Sequence, residues 1–264
     1  MYSYKHKLFL KRIRRKKIFI ITFQLLILFI FILLWQFLSD YGYINSFIGS
    51  SPKRVLQTLI KLYNSGDLLK HIYITCLETI ISFSLATVIG IFIASIYWLF
   101  PIVHKICEPY LTIMNSLPKI ALGPIIIIWV GAKMSSIIVM ALLISLILTI
   151  INVHHSFVNT DYNKIKLLKS FNASNYQIYR YLIFPGNING IINALKVNIS
   201  MSLIGVIMGE FLVSKEGIGY LIMYGSQVFN LNLVISGIIV LCIVATVMFL
   251  IINFIENKLI KNKK

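Results

Sequence analysis

Acidic residues are scarce in this sequence: 8 Asp and Glu stand against 25 Lys and Arg in 264 residues, a formal net charge of +17. Charged residues of both signs make up 12% of the chain, against roughly 25% in soluble domains. That excludes a soluble enzyme, and carboxylates this few and this scattered form no cluster for membrane-embedded catalysis. Cysteine is equally sparse. Cys76, Cys107 and Cys242 are odd in number, far apart and set in apolar sequence, which excludes a disulfide framework and any metal-ligand spacing. We read them as small buried hydrophobes. No G-x-x-x-x-G-K-[ST] occurs, so the chain holds no nucleotide-binding domain of that kind. Internal repeats and low-complexity linkers are absent too.

What is present is apolar: 58% of residues are hydrophobic and the mean hydropathy is +0.87. A basic, polar surface would point to nucleic acid. Here the apolar residues instead gather in runs of about 18 or more, the length that crosses a bilayer as a helix. The sequence predicts an all-α membrane protein with six transmembrane helices and a lipid bilayer, not nucleic acid, around it. Residues 1–17 form a basic tail and 18–38 the first span. That span is too long for a signal h-region and lacks a small-x-small cleavage site, so it is expected to be retained. Span 2 covers about 72–100, interrupted by Glu78; span 3, 108–131, contains Pro118 and Pro124. Span 4 covers 134–153, span 5 185–213 and span 6 231–255. A polar interval at 39–71, a polar segment at 154–184 and a Gly-rich loop at 214–230 lie between spans, and 258–264 is a second basic tail. In 39–71, Val55, Leu56, Leu59, Ile60 and Tyr63 recur at helical spacing opposite Lys53, Arg54 and Lys61. This is either a helix lying on the membrane surface or a short capped connector.

Six spans place both termini on one side. With that side cytoplasmic, seventeen Lys and Arg lie inside and six outside, so the positive-inside rule predicts N-in/C-in with 154–184 cytoplasmic. Residues 161–185 read DYNKIKLLKSFNASNYQIYRYLIFP. Asp161 caps a short helix, Asn172 suits the left-handed residue that ends one, and Ser174 caps a second helical piece ending before Pro185. Ile165, Leu168 and Phe171 share one side of the first helix. Periodicity alone leaves open whether this helix–turn–helix docks a partner or simply lies on the surface.

The segment resembles the cytoplasmic motif of binding-protein-dependent ABC importer permeases, in which E-A-A, three residues and G are followed after nine more by I-x-L-P. The Gly position is Asn172, the I-x-L-P position reads Leu182-Ile183-Phe184-Pro185, and the E-A-A position reads Lys166-Leu167-Leu168, a departure. Leu117-Pro118-Lys119-Ile120-Ala121-Leu122-Gly123-Pro124, Trp129-Val130-Gly131 and Ser136-Ile137 resemble the nitrate, sulfonate and taurine branch. So does Glu210 followed after six residues by Gly217-Ile218-Gly219-Tyr220-Leu221-Ile222, with Phe229, Asn232 and Gly237 beyond. Glu78 stands where such relatives usually carry Arg, so the partner of that Arg must be arranged differently here.

The resemblance covers 66–257. It implies a type I ABC importer permease fold and a non-catalytic subunit with no cofactor. It also implies a homodimer in the bacterial cytoplasmic membrane, two ATPase subunits and an external substrate-binding protein. Ile165, Lys166, Leu168, Phe171, Asn172, Ala173 and Pro185 would then couple to the ATPase. The implied cargo is a small anion such as a sulfonate, taurine or nitrate, with a thiamine-precursor pyrimidine as the alternative. An ion-coupled secondary transporter, the reading from another class, would want matched inverted halves, which the sequence lacks.

Inside the membrane, Pro118 and Pro124 predict a kinked helix, bordering the pathway or serving packing. Asn189, Asn193, Lys196 and Ser200 share a helix face that is too polar for lipid. Lys196 suits an anionic substrate, or else snorkels or pairs with a carboxylate. Glu210 reads as a structural ion pair, one that a dimer can supply, or as a gate, with Gly217 and Gly219 shaping the loop beyond it. Adjacent His154 and His155 point about 100° apart on a helix, a poor metal pair, so an interfacial or solvated role is expected.

Overall fold

The computed structural model describes residues 4–43 and 49–261. The chain ends at 1–3 and 262–264, and 44–48 of the polar interval, lie outside the described residues. The described residues are helical and contain no strand. The helices are α1 (Tyr4–Asp40), α2 (Pro52–Asn64), α3 (Asp67–Leu99), α4 (Pro101–Ser116), α5 (Gly123–Val130) and α6 (Met134–Val158). Then come α7 (Tyr162–Ser170), α8 (Asn175–Ile178), α9 (Phe184–Gly186), α10 (Ile188–Val213), α11 (Ile218–Gln227) and α12 (Leu231–Lys261).

α3, α6 and α10 form the central bundle, and small residues let their backbones close on one another. A Cβ on Gly205 would stand 2.5 Å from Ala141 Cα, and one on Gly209 2.9 Å from Ile137 Cα. Buried hydroxyls satisfy themselves along the helix: Ser145 donates to Ala141 O at 2.7 Å and Thr149 to Ser145 O at 2.8 Å. Between α3 and α10, Asn198 Nδ2 donates to Thr87 Oγ1 at 2.8 Å, and Ser202 Oγ donates to Asn198 Oδ1. α12 closes the bundle through Val240, Val244 and Met248 against Ile199, Leu203 and Ile207.

α1 stands apart. Beyond its basic first turns, from Ile18 to Leu38, it is apolar almost all round, and nothing in its 12–40 stretch is buried, as expected of a helix whose solvent is lipid. It touches the rest near its C-terminal end, where Trp35 Nε1 donates to Gly49 O at 3.2 Å, Ser39 Oγ donates to Ser50 O at 3.1 Å and Gln36 Oε1 accepts from Lys53 N at 3.1 Å. Ser51 caps α2 by accepting from Arg54 N, and Pro52 occupies its first turn. α2 turns Val55 inward and leaves Leu56, Ile60 and Tyr63 exposed, an apolar side with no protein over it.

Among the described residues, five helices are long and apolar enough to span a membrane, and the α4–α5 pair makes a sixth if counted as one. That pair corrects the expected kink in span 3. The chain bends by 89° between Pro101–Ser116 and Lys119–Val130. Leu117, ahead of proline, is extended (ψ 139), and Pro118 has left the helix (ψ 87), so the helix breaks at Pro118. Pro124 opens α5 in the first turn, where its missing N–H does no harm. The Gly-rich loop is a second correction, since Ile218–Gln227 is helical between Gly217 and Val228. Boundaries also move: α3 starts at Asp67 after left-handed Gly66, and α6 continues through His154–Ser156 to Val158.

Candidate functional site

The hairpin after α6 is built by its caps. Asp161 Oδ1 accepts from Asn163 N at 2.9 Å. α7 ends with Asn172 at φ 57, where Asn172 N donates to Lys169 O at 2.9 Å and Ala173 N to Leu168 O at 3.1 Å. That is the paired hydrogen-bond pattern of a Schellman ending. Ser174 and Gln177 then form a reciprocal capping box on α8. Because Asn172 holds a left-handed backbone, Asn172→Gly should leave thermal stability unchanged. Asn172→Val should lose about 1–2 kcal/mol, read as a lower Tm of the detergent-solubilised chain; equal Tm values for the two variants would contradict the assignment.

The hairpin has two unlike sides. Ile165, Leu168 and Ala173 pack inward on Ala94, Val153, Phe157, Ile191 and Ala194, which are the ends of α3, α6 and α10. Phe171, expected on their side, is instead 75% exposed, because it lies past the last helical residue. Leu167, also exposed, and Tyr162 join it on the outward side, with Lys166 and Asn172 exposed nearby. Leu167 was not singled out from the sequence, although the i+4 spacing 163–167–171 places it beneath Phe171. Pro185 lies in α9, past a π turn at Tyr179–Ile183 that is tied to α3 by a 2.6 Å hydrogen bond between Tyr179 OH and Ser95 Oγ.

On α10, Asn189, Asn193 and Ser200 are exposed and Lys196 is half-buried, so the polar face turns away from the bundle. Lys196 Nζ meets Glu256 Oε2 of α12 at 2.5 Å. Asn193 also borders a cavity of about 400 Å³ with Asn152, Ser156, Asn187 and Gly190. Pro118 and Pro124 sit at the α4–α5 break. His154 stacks on His104 with ring centroids 4.0 Å apart, and His155 bonds Asn159.

Glu210, near the α11 end of α10, is 1% exposed. Thr75 Oγ1 donates to its Oε1 at 2.6 Å and Gly219 N to its Oε2 at 2.5 Å. Among the described residues it makes no ion pair; the ionisable side chain facing it is Glu78 of α3. Gly217 and Gly219 lie against this carboxyl group. A Cβ on Gly217 would stand 2.3 Å from Glu210 Cδ, and one on Gly219 2.7 Å from Glu210 Oε2.

Three comparisons bear on this arrangement. The family described as binding-protein-dependent transport system inner membrane component matches residues 86–261. A probable ABC transporter permease protein of Haemophilus influenzae is 25% identical over 237 residues, covering 89% of this chain and 96% of that protein. A putative aliphatic sulfonates transport permease protein of Bacillus subtilis is 23% identical, covering 88% and 84%. A formylaminopyrimidine transport permease protein of Halalkalibacterium halodurans is 24% identical, covering 81% and 85%. In fold, the chain is similar to the MetNI methionine ABC transporter in an inward-facing conformation. The TM-score is 0.65 at 16% identity, over 76% of this chain and 97% of that one.

Proposed function

Because the chain belongs to the family of binding-protein-dependent transport system inner membrane components, we propose that two copies form the pathway of an ABC importer for a small anion in a bacterial cytoplasmic membrane. As a permease subunit it is multi-pass, membrane-embedded and non-catalytic, and it works with an ATPase and a substrate-binding protein. The proposal adds the homodimer, the N-in/C-in orientation and the residues that carry each task.

The observation that carries the reading is the hairpin with two unlike sides. Its inner side is packed into the ends of three bundle helices, and packed interiors transmit displacement because they hold few voids. A push on α7 therefore moves α3, α6 and α10 together. Its outer side, with Tyr162, Lys166, Leu167, Phe171 and Asn172, is free to seat in an ATPase groove. Closure of the ATPase pair would drive the two hairpins and open the cavity between the protomers to the binding protein.

Asn189, Asn193 and Ser200 would line that cavity, with the break at Pro118 and Pro124 bordering it. Lys196 supports an anionic cargo through exchange: its charge is balanced by Glu256, so an entering anion competes for a cation already in place. Glu210 serves the structure, holding α11 on α10 and α3.

Uptake of labelled taurine or an alkanesulfonate by proteoliposomes holding the chain, its ATPase and its binding protein tests the reading. Uptake should require ATP and the binding protein, and excess unlabelled formylaminopyrimidine should not compete. Competition by the pyrimidine would overturn the anion assignment. Uptake by the chain alone on an ion gradient would overturn the importer reading.

A further inference from the structure

Glu78 and Glu210 are 2% and 1% exposed, on α3 and α10, and Glu78 stands one turn along α3 from Thr75, whose hydroxyl holds Glu210 Oε1, so the two carboxyl groups face each other. Two carboxylates in contact away from water cannot both stay ionised, so one must hold a proton or a cation must lie between them. No side-chain cation does so among the described residues. Lys70 is paired with Glu216 at 2.5 Å, and His71 uses Nδ1 to accept from Gly217 N at 2.9 Å. The other titratable neighbour is Cys76 on α3, while α12 brings Val240 and Val244 to the cluster that holds Cys76.

The two carboxyls are not equivalent. Glu210 accepts from the Thr75 hydroxyl and from the Gly219 amide. That amide lies in the first turn of α11, whose free N–H groups and dipole favour a negative charge. Glu78 has Glu210 alone; its Oε2 has no partner, and neither has Ser82 Oγ one turn further along α3. A metal ion would need several oxygens turned to one point, whereas both oxygens of Glu210 already hold donors.

We propose that Glu78 and Glu210 form a proton-binding site, in which a proton resides on Glu78 and is donated to ionised Glu210. The proton then does the work of a buried cation. It lets two acids sit between apolar helices and joins α3 to α10 at the turn that starts α11. The inference stands on these contacts and holds whatever the cargo is.

Glu78→Gln and Glu210→Gln in the full-length, detergent-solubilised chain test it. In E78Q the amide N–H replaces the acid O–H, so Tm should stay within about 2 °C of wild type. In E210Q the new NH₂ faces donors, and Tm should fall by about 5 °C or more. Infrared spectra should show an undissociated carboxylic acid band that E78Q removes and E210Q keeps. If E210Q does not accumulate, loss of the band in E78Q decides alone. Equal destabilisation by the two variants, or an unchanged acid band in E78Q, would overturn the assignment. So would a wild-type Tm that rises when sodium or potassium replaces choline and no longer does so in E78Q, which would mark a metal cation instead.

Discussion

Replacing Leu167 and Phe171 together by aspartate is expected to abolish ATP-driven uptake and recovery of the ATPase with the tagged chain, without altering insertion or Tm. Both side chains are exposed, at 57% and 75%, so the fold loses no packing when they change. Seated in a partner's groove, each would contribute about 1.5–3 kcal/mol through burial alone. Losing both removes about 3–6 kcal/mol, a factor of roughly 10²–10⁴ in affinity, before the cost of burying two carboxylates is counted. Aspartate at Ile165 or Leu168 makes the less informative variant, because those side chains are part of the packing under the hairpin. Undiminished recovery of the ATPase with the double variant would remove the hairpin from the interface.

Gly217→Ala should cost the chain most of its stability. Gly217 sits at φ 106, ψ 165, a region essentially reserved for glycine, where another residue costs about 1–3 kcal/mol. Its Cβ would also stand 2.3 Å from Glu210 Cδ, a carboxyl held from three directions, and overpacking of that kind adds about 1–3 kcal/mol. Gly131→Ala is the control. Gly131 has nearly the same backbone, φ 90 and ψ 161, with nothing within 4 Å of the added Cβ, so it carries the strain without the collision. Size-exclusion profiles and Tm values of the two variants separate the terms. G217A should lose folded protein where G131A keeps it, and equal losses would show that contact with Glu210 is not what constrains position 217.

Much of the hairpin was legible in the sequence because its boundaries are set by local chemistry. Asp161, Asn172 and Ser174 take the cap and left-handed positions expected of them, since each hydrogen bond reaches only two to three residues along the chain. What lay beyond reach was the side that faces inward. Ile165 and Phe171 look alike in a helical pattern, and only the position of Val153, Phe157 and Ile191 decides which of them is covered. α11 was read as loop because its glycines suggest turns, whereas Gly219 is small so that α11 can approach Glu210. The break in span 3 exceeds the expected kink because Pro118 takes the chain out of the helix, while Pro124 opens the next one. The Lys196–Glu256 pair joins residues sixty positions apart, and position 78 meets another acid; no periodicity encodes either pairing.

The most direct measurement is photocrosslinking from the hairpin in the assembled transporter. A benzoylphenylalanine at position 167 should capture the ATPase subunit, and the capture should change in yield when ATP is bound. The same probe at Leu85, which is exposed midway along α3, should capture lipid or the partner copy and no ATPase. Capture of the ATPase from 85 and not from 167 would contradict the account.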